Sequence, residues 1–426
     1  MSPLSAPHLN PNVMGLGPSA TLAINERSNA LIAQGQRVFK LGLGQSPFPV
    51  PAPVVAALRQ AAPEKDYLPV RGLRPLREAV TEFLRRRHGI ERQRSQVLVG
   101  PGSKELIFIT QLAYAGELLV PNPSWVSYAP QAQIIGRRVT WLPTRLTDDW
   151  KLLPEAVEAH CQSARGLPRL LILNYPNNPT GVSYTERELA GLADVARRHQ
   201  ILVISDEIYA DLDHEGRTAS ISHFYPEGTI VSTGLSKWCG AGGWRLGVFS
   251  FPEELEWLCS AMAAIASETY TSVSAPIQYA AIRAFQGGPE LDGYLTACRA
   301  VLRELGRSSA AILRGVGCQI PKIDGAFYLF PDFSLHRDRL SARGIVGSES
   351  LAERLLTKRG VATLPGSVFG RPVDELTLRL SYVNFDGAKA LRAIEAGEKI
   401  DEGFLRRHCP DTIEAMERIA GWVTRE

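Results

Sequence analysis

The sequence predicts an α/β fold: a large domain on a mostly parallel seven-stranded sheet flanked by helices, with a smaller α/β domain built from both chain ends. Three observations predict it. Seven short apolar runs recur through the middle of the chain with little alternation, as strands covered on both faces do. Amphipathic stretches of helical spacing lie between them, which is the pattern of a doubly wound sheet. Toward both ends strand signals thin out and helix signals take over.

Taken in order, residues 1–62 read as an N-terminal arm and part of the small domain, with a helix at Val54–Arg59 after a Pro-rich loop. Residues 63–290 read as the large domain. Arg85-Arg86-Arg87-His88 suits the solvated end of a helix, where cations complement the dipole. Strands are expected at Gln96–Val99, Leu118–Val120, Arg138–Leu142, Leu170–Leu173, Ile201–Ser205, Thr229–Ser232 and Leu246–Phe251. Thr185-Glu186-Arg187-Glu188 opens a helix as a capping box, and Leu189, Leu192, Val195 and Ala196 follow on one face. Residues 291–426 read as the small C-terminal domain. It is mainly helical, with short strands at Gly325–Phe330 and Leu376–Tyr382, and an amphipathic helix runs from Asp411 to the end.

Composition narrows the class. The chain has 426 residues, 45% hydrophobic and 21% charged, which is ample for a globular core. A net charge of +3 is too small to argue for nucleic acid or an acidic membrane surface as partner. The six cysteines form no CxxC pair and no zinc spacing, so no metal is expected. They read as free thiols of a reducing compartment. With no secretory signal pattern and no unbroken apolar span, the expected location is the cytoplasm.

The residues that carry chemistry follow the strands. Lys237 ends Ser232-Thr233-Gly234-Leu235-Ser236-Lys237, and Arg245 stands eight positions on. A lysine so placed can condense with an aldehyde, and the arginine can hold an anion on the same molecule. Singly, they read as a surface lysine and a salt-bridged arginine. Pro101-Gly102-Ser103-Lys104 joins a strand to a helix start, where free backbone N–H groups and the dipole favour a phosphate. Asn174-Tyr175-Pro176-Asn177-Asn178-Pro179-Thr180-Gly181 reads as a turn, and also as a ligand loop at the carboxyl end of a strand. Asp206 either caps a following helix or meets a buried cation such as a protonated pyridine nitrogen. Tyr209 lies three residues beyond it. Trp125 is either a core aromatic or a stacking surface for a flat ring. Arg379, in an apolar strand, reads as a solvent-facing or ion-paired arginine. It reads equally as a fork for a substrate carboxylate.

The ordered set Tyr67…Gly72, Gly102-Ser103-Lys104, Trp125, Asn178-Pro-Thr-Gly, Asp206-Glu-Ile-Tyr209, Ser236-Lys237, Gly243-Trp-Arg245 and Arg379 resembles the class I/II aminotransferases, fold type I pyridoxal-phosphate enzymes. It covers residues 20–390. The resemblance implies that the cofactor is pyridoxal 5'-phosphate, joined to Lys237. Asp206 would pair with its pyridine nitrogen, and Asn178 and Tyr209 would hold its ring oxygen. Trp125 would stack on it. Arg245, Ser103 and Lys104 would bind its phosphate. Tyr67 would reach the phosphate of a neighbouring subunit, so a homodimer with shared sites is implied. Arg379 would clamp the α-carboxylate of the amino acid, with Gly44 nearby and Asn178 facing the same site. The implied reaction moves an amino group from an L-amino acid to a 2-oxo acid in two half-reactions. A lyase or decarboxylase using the same lysine is the alternative.

Two departures stand out. Some members carry Ser or Thr three residues before the lysine as a phosphate ligand. Gly234 is there in this chain, leaving Thr233 or Ser236 for the contact. Members selective for dicarboxylates often carry an arginine in the stretch matching Ser267–Ser274, which here holds no cation. Arg71 and Arg74, in the loop after Tyr67, either serve instead or are surface charges; a neutral or aromatic donor is expected. Two other classes fit poorly. A DNA-binding regulator needs a basic helix-turn-helix, and none precedes Thr21. A nucleotide-binding oxidoreductase needs G-x-G-x-x-G, which Gly42-Leu43-Gly44 lacks.

Overall fold

The computed structural model describes residues 8–425 apart from Arg165 and Thr218, so the first seven residues of the N-terminal arm and Glu426 lie outside it. A short strand β1 (Phe39–Lys40) precedes a central sheet of seven strands. These are β2 (Val97–Gly100), β3 (Glu117–Asn122), β4 (Val139–Pro143), β5 (Arg169–Asn174), β6 (Leu202–Asp206), β7 (Thr229–Gly234) and β8 (Gly247–Ser250). Their spatial order is β2-β8-β7-β6-β5-β3-β4. Only β8 runs against the others. All seven expected strands are present.

The absence of alternation has a direct cause. Successive side chains of a strand point to opposite faces, and here both faces are covered. Leu170, Ile172 and Ile204 pack into one apolar cluster, while Leu171, Leu173 and Val203 pack into another on the opposite face. The sheet also extends past the apolar runs. Asn174 pairs with Asp206 and Asp206 with Ser232, so three polar residues belong to the strands and not to the loops after them. The helix opened by Thr185 spans Glu186–Arg198, and its capping box is formed in both directions. The cationic run Arg85 to His88 closes the helix Arg74–His88.

The C-terminal part contributes β9 (Tyr328–Leu329), β10 (Val361–Ala362), β11 (Leu364–Pro365) and β12 (Leu378–Ser381). β9 and β12 are shorter than the apolar runs around them, and β11, β12 and β9 form an antiparallel sheet. β1 pairs with β10, which ties the early chain to the late chain. The long helix Pro289–Arg314 and the terminal helix Pro410–Arg425 pack into one shared core with them. All six cysteines are free and buried. Among the described residues no helix is long and apolar enough to cross a membrane, and no group of His, Cys, Asp and Glu has the arrangement of a metal site.

Candidate active site

One edge of the seven-stranded sheet collects the chemistry. The loops leaving the carboxyl ends of β2, β3, β5, β6 and β7 meet the loop entering the antiparallel β8 there. This is the edge where open α/β sheets bind ligands. A cavity of about 470 Å³ opens on it, a volume that suits a small-molecule ligand. It is lined by Gly44, Ser103, Lys104, Trp125, Asn178, Asp206, Tyr209, Ser236, Lys237, Arg245 and Arg379, which are eleven of the twelve residues expected from sequence. The twelfth, Tyr67, is 91% exposed and does not line the cavity of its own chain.

Lys237 Nζ donates to the carbonyl of Gly44 at 2.7 Å and sits 5.3 Å above the Tyr209 ring. Burial, with the nearby Arg379 next, pushes its pKa down to about 7 although Asp206 pulls the other way. Near neutral pH much of the amine is therefore unprotonated, the form that attacks a carbonyl carbon. Asp206 does not cap a helix: the turn Ala210–Leu212 that follows is capped at Tyr209 without a side-chain bond. Its Oδ2 accepts from Tyr128 OH at 2.6 Å and its Oδ1 from Ser232 Oγ at 3.3 Å. Burial dominates these bonds and raises its pKa to about 6. A carboxylate buried this way is stabilised by an incoming N–H⁺.

The anion-binding features lie at either side. Gly102 adopts φ +90°, a conformation that favours glycine, and a Cβ there would come within 2.3 Å of Arg245 Nη2 and push that side chain aside. Beyond it the helix Ser103–Ala113 begins, and its first residues, Ser103 and Lys104, line the cavity; the first N–H groups of a helix have no intrahelical partner. Ser236 lines the cavity, whereas Thr233 is buried and does not. Lys104 Nζ is 5.2 Å from the Trp125 ring centroid. The Asn174–Gly181 segment is indeed a turn, with Asn178 N–H bonded to Asn174 Oδ1 at 2.7 Å, and it still delivers Asn178 to the cavity.

Arg379 is 1% exposed. Its Nη1 donates to Asn178 Oδ1 at 3.2 Å and its Nη2 to the Gly42 carbonyl. Its Nε has no partner, and no carboxylate pairs with it among the described residues. The solvent-facing and ion-paired readings of Arg379 are thereby excluded. A buried guanidinium without an anion is costly unless a ligand supplies one. Arg71 and Arg74 go the other way. Arg71 is bound to Glu256 at 2.7 Å and Arg74 to Glu78 at 2.9 Å, and neither lines the cavity. Within one chain they are ion-paired charges outside the cavity.

Among the described residues the lining holds four basic side chains, Lys237 only partly charged near neutral pH, and one carboxylate. That excess fits a ligand with a phosphate and a carboxylate, and Asp206 fits a ring cation. The residues present therefore fit pyridoxal phosphate together with an amino acid. Sequence reasoning missed Tyr128, Ser232, Asn174 and Tyr328 as members of this site. The strand register that aligns Asn174 and Ser232 with Asp206 was the available signal; Tyr328 gave none.

Comparisons with known proteins agree. The family model described as aminotransferase class I and II matches residues 36–396. An aspartate aminotransferase of Bacillus subtilis is 32% identical over 93% of this chain and 98% of that protein. An aspartate/prephenate aminotransferase of Cereibacter sphaeroides is 33% identical over 87% of this chain and 92% of that protein. The structure of an aspartate aminotransferase from Thermus thermophilus with maleate superposes with a TM-score of 0.83 at 29% identity, covering 97% of this chain and 100% of the other.

Proposed function

The chain belongs to the class I and II aminotransferases and is a transaminase of fold type I; from that premise we propose how its residues divide the work and which substrates they take. The observation that carries the reading is a half-buried Lys237 amine placed between Asp206 and Arg379 in one cavity. The cofactor is pyridoxal 5'-phosphate. Lys237 would hold its aldehyde, Arg245, Ser236 and the N–H groups of Ser103 and Lys104 would hold its phosphate, and Trp125 would offer a face to its ring. Asp206 would keep its ring nitrogen protonated, and Tyr209 and Asn178 would donate to its ring oxygen. When bound, that ring withdraws the electron pair left at the α-carbon of the amino acid. Arg379 grips the α-carboxylate through its two terminal nitrogens, displacing the Gly42 and Asn178 contacts in part. The amino group of the substrate would take the place of Lys237 on the aldehyde and release Lys237 as a free amine; the α-hydrogen so oriented would face Nζ, which would remove it as a proton and later give it back. The test is a half-reaction: an amino acid alone should shift the cofactor absorbance to its amine form, and a 2-oxo acid should restore it. A lyase would release product and return to the starting spectrum.

The amino donor is an acidic one. This differs from the neutral donor expected from Ser267–Ser274, and Lys104 is the reason. Its ammonium lines the cavity with no carboxylate partner among the described residues, and partial burial and Arg245 lower its pKa. A distal carboxylate of the substrate would supply the missing partner. Lys104→Met is expected to lower kcat/KM for aspartate about 10- to 100-fold, while alanine or phenylalanine changes less than about threefold. Equal losses for all donors would contradict this role.

The active unit is a homodimer in which Tyr67 reaches the neighbouring site; its near-complete exposure in one chain supports this. Mixing Tyr67→Ala and Lys237→Ala chains is expected to restore part of the activity that Lys237→Ala lacks, with light scattering at twice the chain mass. The large domain occupies residues 63–290, with the arm and small domain in 1–62 and 291–426. The six free buried thiols support a cytoplasmic location.

A further inference from the structure

Tyr328 was not singled out by the sequence, yet it touches both halves of the site. β9 and β12 pair so that Tyr328 lies opposite Ser381. Side chains two residues apart on a strand share a face, so Arg379 is the diagonal neighbour of Tyr328. Accordingly the Arg379 guanidinium lies 4.9 Å from the Tyr328 ring centroid. At the other end of the ring, Tyr328 OH is 2.7 Å from Tyr209 OH, and the two rings meet edge-on at 5.6 Å. Gly44 makes the room: a Cβ there would fall 2.0 Å from the Tyr328 hydroxyl oxygen. Both tyrosines are buried, and burial raises both hydroxyl pKa values, so both remain neutral O–H donors.

A phenol has one proton to give. If Tyr209 gives its proton to the cofactor's ring oxygen, its own oxygen is left as an acceptor. Tyr328 is the hydroxyl placed to donate to it. We propose that Tyr328 is a positioning residue for transamination: its hydroxyl donates to Tyr209 and so strengthens the bond Tyr209 makes to the ring oxygen of the cofactor. This rests on the cofactor assignment above. Hydrogen bonds in such a chain polarise one another, so each strengthens the next. The same ring supports Arg379, which couples cofactor tuning to the carboxylate clamp through one side chain.

The consequence is measurable in the holoenzyme. In the Lys237-bound cofactor, the linking nitrogen and the ring oxygen share a proton. A donor on the oxygen competes for it, so weakening that donor raises the pH at which the proton leaves. The other titratable or charged groups facing Lys237 and the two tyrosines are Asp206, Tyr128, Tyr382, Arg379, Arg245 and Lys104. None is changed by Tyr328→Phe, which also keeps the ring against Arg379.

The experiment is a spectroscopic pH titration of the holoenzyme, without substrate, of four proteins: the parent chain, Tyr328→Phe, Tyr209→Phe and the double variant. Tyr328→Phe is expected to raise the absorbance midpoint by about 0.3 pH unit or more. It should add nothing further in the Tyr209→Phe background. An unmoved midpoint in Tyr328→Phe overturns the proposal. So does an equal shift in both backgrounds, because the effect would then bypass Tyr209. A parent chain that takes up no pyridoxal phosphate overturns the cofactor assignment and this proposal together, whereas a coloured parent whose midpoint ignores Tyr328 overturns only the latter.

Discussion

Lys237→Ala is expected to lower transamination by at least about 10⁴-fold and to leave no borohydride-reducible adduct with pyridoxal phosphate. The size follows from the two tasks given to one amine. It forms the bond to the cofactor, and it is the base that takes the α-proton, a role worth about 10²–10⁴-fold by itself. Among the described residues no other lysine but Lys104 lines the cavity, and Lys104 sits on the Trp125 side. Turnover within tenfold of the parent chain would refute the assignment. The same lysine predicts a pH dependence of the cofactor-free protein. Its pKa is about 7 when folded against 10.5 for the free side chain, so between those values the unfolded chain binds the extra proton. Stability therefore rises with pH across that window. Lys237→Met should remove this rise, and thermal melts of both proteins from pH 7 to 10 would expose a failure as parallel slopes.

For Asp206→Ala, α-proton exchange is expected to slow by about 10²–10³-fold, with weaker retention of the cofactor. The geometry explains why no neighbour can substitute. Tyr128 and Ser232 approach Asp206 as donors, and Tyr128 OH is left without its acceptor when the carboxylate goes. Among the described residues nothing else in the cavity lining is anionic, so a ring nitrogen would lose the lining charge that favours its protonated form. Exchange at the parental rate, followed by loss of deuterium or tritium from the α-position, would remove Asp206 from the mechanism.

Much of this was legible in the sequence because the fold repeats one device. Each buried strand announces itself as an apolar run, and each polar residue at its end announces a loop on the ligand edge. Asp206 after Ile201-Leu202-Val203-Ile204 is the clearest case. Arg379 was legible only as an ambiguity, since a strand arginine has the same neighbours in sequence whether it faces water or a cavity. Its surroundings include Tyr328 and Asn178, which are distant in the chain. The ion pair of Arg71 was hidden for the same reason: its partner Glu256 is far along the sequence, and no local pattern foretells the pair. Tyr328 was invisible because its meaning lies in Gly44 and Tyr209, brought to it by pairing that only the folded chain displays.

The pairing of β1 with β10 has a bearing on synthesis. Gly44 leaves the ribosome early, Lys237 midway and Arg379 near the end, and all three face one cavity. Contacts so distant in sequence form slowly and late. A nascent or prematurely terminated polypeptide would thus display the lysine without the arginine that governs what it reacts with. An amine of that kind, exposed to free aldehydes, is a hazard that ends only once Arg379 has been made and folded into place.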